Sequence, residues 1–127
     1  MDTDRSAVIN IGGDDYELML TTYATKEIAK KYGGIENLGD HLSSSDDLAQ
    51  SLDDVLWLIT LLANQPILIY NYKNKDKPKE LLTTEALELL TSPADLAEFK
   101  EAIMTAVLKG TKRHIESEDD EKNAAAE

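Results

Sequence analysis

The chain has 127 residues, 13 basic and 25 acidic, giving a net charge of −12, and it contains no cysteine. That length supports one core and not two, and the absence of thiols excludes disulfides and thiolate metal sites. The acidity runs through the chain, with 10 basic against 19 acidic residues up to Gly110 and 3 against 6 after it; such a surface repels phosphate backbones and favours basic protein partners over nucleic acid.

Residues 1–6 are polar, lack the apolar run of a signal peptide, and are expected to form a disordered lead. Ala7–Ile11 and Tyr16–Thr22 then read as a β-hairpin around the turn Gly12-Gly13-Asp14-Asp15, with the glycines free to take positive φ. Tyr16, Leu18 and Leu20 alternate with Glu17 and Met19, which predicts one buried face. Two strands this short are not stable alone in water and must lie on the helices that follow.

A helix is predicted over Tyr23–Tyr32, with Thr21 or Thr22 as N-cap and Gly33-Gly34 ending it. Ala24, Ile28 and Tyr32 form its inner stripe, and Glu27 is expected to pair with Lys31 outside. A short helix around Ile35–Leu42 and a loop at Ser43-Ser44-Ser45 come next. The following helix begins between Asp46 and Asp53 and carries Val55, Leu58, Ile59 and Leu62 as one stripe. Leu56, Trp57 and Leu61 make it apolar almost all round, the mark of a helix covered by neighbours or by another subunit. Pro66 kinks or ends it, and Ile67–Tyr72 either continues as helix or runs extended, the helix being favoured.

The lysine-rich stretch Asn71–Glu80 is expected to be an exposed loop, followed by a short helix Glu85–Leu90 capped by Thr83 or Thr84. The last helix opens with Ser92 as N-cap, Pro93 at the first helical position and Asp95 at N3. Leu96, Phe99, Ile103 and Val107 make its buried stripe, and Gly110 is expected to stop it. Residues 111–127 show no apolar periodicity and read as a disordered acidic tail. The longest apolar run, Val55 to Ala63, is too short to cross a bilayer, so a soluble cytoplasmic protein without membrane contact is expected.

No residue pattern here supplies catalysis. The acidic pairs Asp14-Asp15, Asp46-Asp47, Asp53-Asp54 and Asp119-Asp120 lack metal-loop spacing, and their places fit turns, caps and tail. His41 and His114 are isolated imidazoles, and neither glycine pair belongs to a phosphate-binding motif. The expectation is a non-enzymatic protein with no cofactor and no metal. Trp57, Leu61, Ile67, Ile69, Tyr70 and Tyr72 are the candidate protein-binding residues, because aromatic side chains on an over-apolar helix are favoured interface anchors; core packing is the alternative for Trp57 and for the patch Ile67–Tyr72.

Three segments carry a resemblance to a known family. They are the hairpin leading to Lys31-Tyr32-Gly33-Gly34-Ile35-Glu36-Asn37-Leu38, the apolar helix Leu52–Gln65, and Glu88-Leu89-Leu90-Thr91-Ser92-Pro93-Ala94-Asp95-Leu96 running on to Leu108-Lys109-Gly110. Together they resemble the tail assembly chaperones of long-tailed bacteriophages and prophages. The likeness implies a factor that binds the tape measure protein, recruits tail tube subunits, self-associates, and is absent from the finished virion. Many such proteins also exist in a longer, frameshifted form, for which Lys122-Asn123 is the candidate slip site. An acidic inhibitor or DNA mimic occupying a basic nucleic-acid-binding partner is the alternative that the charge suggests. The expected architecture is one α+β domain over residues 7–110, an N-terminal two-stranded hairpin packed on a bundle of four to five helices.

Overall fold

The computed structural model describes residues 6–44 and 47–126, with side chains described over 7–43 and 47–111. The fold is α+β. Strands β1 (Ser6–Ile11) and β2 (Asp14–Met19) form an antiparallel pair, followed by α1 (Thr22–Tyr32), α2 (Leu38–Ser44), α3 (Leu48–Lys73), α4 (Thr84–Leu90) and α5 (Leu96–Ala126). Single 3-10 turns at Ile35–Asn37 and Pro93–Asp95 lead into α2 and α5. The expected lead over 1–6 lies outside the described residues apart from Ser6, which opens β1.

The hairpin turn is tighter than the sequence suggests. Only Gly12 and Gly13 form it, with φ of 62° and 96°, and Asp14 and Asp15 already pair with Ile11 and Asn10. Two consecutive positive-φ residues match the twist of the flanking strands, which is why two glycines suffice. Asn10 fixes the loop from inside, accepting from the Gly13 amide at 3.2 Å and donating to Asp15 at 3.1 Å. Ile9, Ile11 and Leu18 then share the inner face and are buried, and Leu20 is buried just beyond β2.

Helix α1 starts at the Thr21 cap, whose hydroxyl accepts from the Ala24 amide, and ends on left-handed Gly33. Its stripe of Ala24, Ile28 and Tyr32 is buried as expected. Glu27, however, pairs with Lys30 at 3.0 Å rather than with Lys31, because Lys31 turns toward Trp57, 5.0 Å from the ring centre. Ser43 and Ser44 belong to α2 instead of a loop; Ser45 lies outside the described residues.

Helix α3 is the centre of the molecule and packs on the hairpin, on α1 and on every later helix of the body. It runs through Pro66 to Lys73, so Ile67–Tyr72 is helical. The proline supplies no amide for the Leu62 carbonyl. The turn is steadied by Gln65, which donates to the Leu61 carbonyl at 2.8 Å while accepting from the Thr21 hydroxyl at 2.6 Å. The part-buried bond between Thr21 and Gln65 also ties the hairpin exit to the middle of α3. At 26 residues α3 is long and apolar enough to cross a membrane by length and composition, although its apolar run is short. Of that apolar window, 44 % is buried inside the protein itself.

Ser92 and Asp95 form a reciprocal capping box with Pro93 in the first turn, and α5 grows from it. Phe99, Ile103, Ala106 and Val107 close the core over β1 and α3. Gly110 is not a stop: α5 continues to Ala126, where the sequence predicts an unstructured tail. Nothing after Gly110 breaks a helix, and adding residues to an existing helix avoids the nucleation cost. At Gly110 the helix presses on Leu20, and a Cβ placed there would lie 2.8 Å from the Leu20 Cβ.

Candidate protein-binding surface

The six candidate residues all lie on α3, but the helix does not gather them on one face. At about 100° per residue, Trp57, Leu61 and Tyr72 fall on one stripe, Ile69 and Ile67 flank it on opposite sides, and Tyr70 lies far round the helix. Trp57 and Leu61 are half-buried and pack against the core. The Trp57 ring meets Tyr32 edge-on at 6.1 Å and carries Lys31 over it, so its aromatic surface is already engaged.

The other end of α3 is covered by its own loop. Lys79 sits 4.3 Å from the Tyr70 ring centre, and Lys75 sits 5.5 Å from that of Tyr72, which is 76 % exposed. The sequence treats these lysines as a solvated run, yet two of them fold back as cations on aromatic faces. Two asparagines hold the segment in place. Asn71 accepts from the Lys79 amide at 2.8 Å and donates to the Lys79 carbonyl at 3.0 Å. Asn64, one heptad earlier, does the same with Leu82, at 2.8 and 2.9 Å. Each side-chain amide imitates a peptide group, so the strap 79–82 lies along α3 as if paired to a strand. Two asparagines seven apart on the apolar half of α3 are the sequence signal for this.

A feature that sequence reasoning missed lies elsewhere. A cleft of about 330 Å³ opens between the first turns of α3, the end of α4 and the start of α5. Its floor is Leu52, Val55, Leu56, Leu96 and Phe99. Asp53 on α3 and Glu88 on α4 stand at the rim, both exposed, and among the described residues no basic side chain lines it. Among the described residues neither carboxylate makes a hydrogen bond or an ion pair. The remaining polar lining groups serve the fold: Thr91 donates to the Leu87 carbonyl at 2.6 Å, and the Ser92 amide donates to Asp95 at 2.9 Å. Leu48 and Leu89, next in sequence to lining residues, are also exposed. The cleft joins segments some forty residues apart, which no local pattern reveals.

One buried polar cluster adjoins the core. Asp54 accepts from the Tyr32 hydroxyl at 3.1 Å and from Gln50 at 3.2 Å. Burial first, then the neighbouring Asp54 charge and hydrogen bond, pushes the Tyr32 phenol far above its usual range. The Asp54 carboxylate and the His41 ring, 5.0 Å from that of Tyr32, are ionisable neighbours of the phenol, and none of the three lines the cleft. Among the described residues no group of three or more His, Asp or Glu side chains is placed to hold a metal. Comparison with known protein families, with curated proteins and with solved structures finds no match for this chain.

Proposed function

We propose that the chain is a tail assembly chaperone, a non-enzymatic factor that binds a tape measure protein, keeps its apolar helices soluble, and brings tail tube subunits to it. The observation that carries this is the open apolar cleft on an otherwise acidic helical body. Apolar clefts between helices take apolar helical ligands, and an acidic surface keeps such complexes dispersed. The order of hairpin, apolar central helix and Ser-Pro-capped last helix is the sequence resemblance that names the partner.

The test is co-expression with a tape measure protein from a long-tailed phage or prophage. The expected result is a soluble complex that survives moderate salt, since screening acts on charge and leaves apolar contact intact. A tape measure protein that stays insoluble and unbound in the presence of the chain removes the reading. The net charge of −12 favours a second reading, an acidic inhibitor of a basic nucleic-acid-binding protein. That function requires binding that collapses as salt rises, so the same salt series separates the two.

A further inference from the structure

We propose that the cleft between α3, α4 and α5 receives an amphipathic helix whose apolar stripe is flanked on both sides by Lys or Arg. The inference rests on the protein-binding reading above and specifies the chemistry of the ligand.

Three observations fix the occupant. First, the floor is apolar, built from Leu52, Leu56, Leu96 and Phe99, and its volume of about 330 Å³ accommodates anchoring side chains rather than a whole backbone. Second, every wall is helix or helix cap, and among the described residues no strand edge borders the cleft. An extended peptide would find no ladder to join and would leave its own amides unpaired. A helix satisfies its backbone internally and needs only a groove. Third, the rim carries Asp53 on one wall and Glu88 on another, and among the described residues no basic side chain lines the space between them. Charge complementarity therefore selects cations on either side of the apolar stripe. A second copy of this chain is disfavoured, since its acidic residues outnumber its basic ones about two to one.

The test uses the full chain and three synthetic peptides of about 18 residues, long enough to form a helix on binding. One has a leucine stripe flanked by lysine, one the same stripe flanked by glutamate, and one the lysine composition in scrambled order. Binding is measured by titration and located by NMR shifts. The lysine-flanked helix is expected to bind at least about tenfold tighter than the glutamate twin, with shifts at Leu52, Leu96 and Phe99. The double variant Asp53→Lys, Glu88→Lys should reverse that preference.

Ala49→Trp, at an exposed lining position, should weaken both peptides while leaving the circular dichroism spectrum unchanged. Equal binding of the scrambled peptide, shifts centred on Tyr72 instead of the cleft, or a charge reversal without effect would each overturn the proposal. Should the chain still capture its tape measure protein after such a result, the chaperone reading stands and only the docking chemistry falls. Intact peptide selectivity without capture of the tape measure protein does the reverse: the docking chemistry stands and the chaperone reading falls.

Discussion

Gly110 and Leu20 are in contact across the junction of α5 with the end of β2, and a methyl group on the glycine would approach the Leu20 Cβ to 2.8 Å. The glycine is where the last helix lies closest to the hairpin exit. In an exposed helix interior, Gly→Ala gains about 1 kcal/mol of helix propensity. Here the gain is outweighed, because the obstructing atom is a Cβ fixed near the backbone of a buried residue. Gly110→Ala should destabilise the protein by about 1–3 kcal/mol, as overpacking does, and urea unfolding would measure it. A more stable variant would show that α5 stands off from Leu20.

The Tyr32–Asp54 hydrogen bond gives an alkaline signature. The folded phenol titrates above its unfolded value of about 10, so its contribution is complete below that pH and drains away as pH climbs toward the folded value. Stability of the wild type should therefore fall more steeply above about pH 10 than that of Tyr32→Phe. Near neutral pH the same variant should be weaker by about 1–2 kcal/mol, since Asp54 keeps only Gln50 as a donor. Parallel pH profiles for the two proteins would contradict the assignment.

The two strap asparagines differ in burial, and substitution should expose the difference. Asn64 is buried and Asn71 only half-buried. Asn64→Ala leaves the Leu82 amide and carbonyl unpaired beside the core and should cost about 1–3 kcal/mol. Asn71→Ala frees groups that water can reach, and its cost should stay below about 1 kcal/mol. Thermal unfolding of the two variants side by side decides this; equal losses would mean that solvent reaches both pairs alike.

Leu61 and Tyr70 should also part company. Leu61 packs on the core, whereas Tyr70 lies beneath Lys79 at the outer end of α3. Leu61→Asp should lower stability by about 2–3 kcal/mol, from lost apolar burial and a desolvated charge. Tyr70→Asp should change it by less than about 1 kcal/mol. Denaturant titration of both single variants checks the contrast.

Much of the fold was legible because its determinants are local. The Thr21 cap, the Gly33 stop, the Ser92–Asp95 box and the stripes of α1 and α3 each lie within a few residues of the structure they set. Where sequence and structure part, a distant partner decides. Gly110 carries the signature of a helix end, but its lack of a side chain serves Leu20, some ninety residues earlier. Asp14 and Asp15 look like turn residues until the register shows that two glycines close the hairpin. Lys31 leaves its expected helix partner for Trp57. Trp57, Leu61, Ile67, Ile69, Tyr70 and Tyr72 share interface chemistry, but helical rotation distributes them round α3. The cleft, in turn, exists only once residues 49–56 meet 88–99.

The strap that Asn64 and Asn71 hold has a consequence for hydrogen–deuterium exchange. In the largely exposed stretch from Lys75 to Leu82, the amide protons of Lys79 and Leu82 are sequestered by side-chain oxygens. They should therefore exchange more slowly than their unpaired neighbours, the Lys77 amide, which donates to the Asn74 carbonyl at 3.2 Å, being the third paired one in a segment without helix or strand. Their opening should follow the unwinding of the last turns of α3 rather than loop fluctuation. Label uptake at those two positions would therefore report how tightly the far end of the central helix is wound.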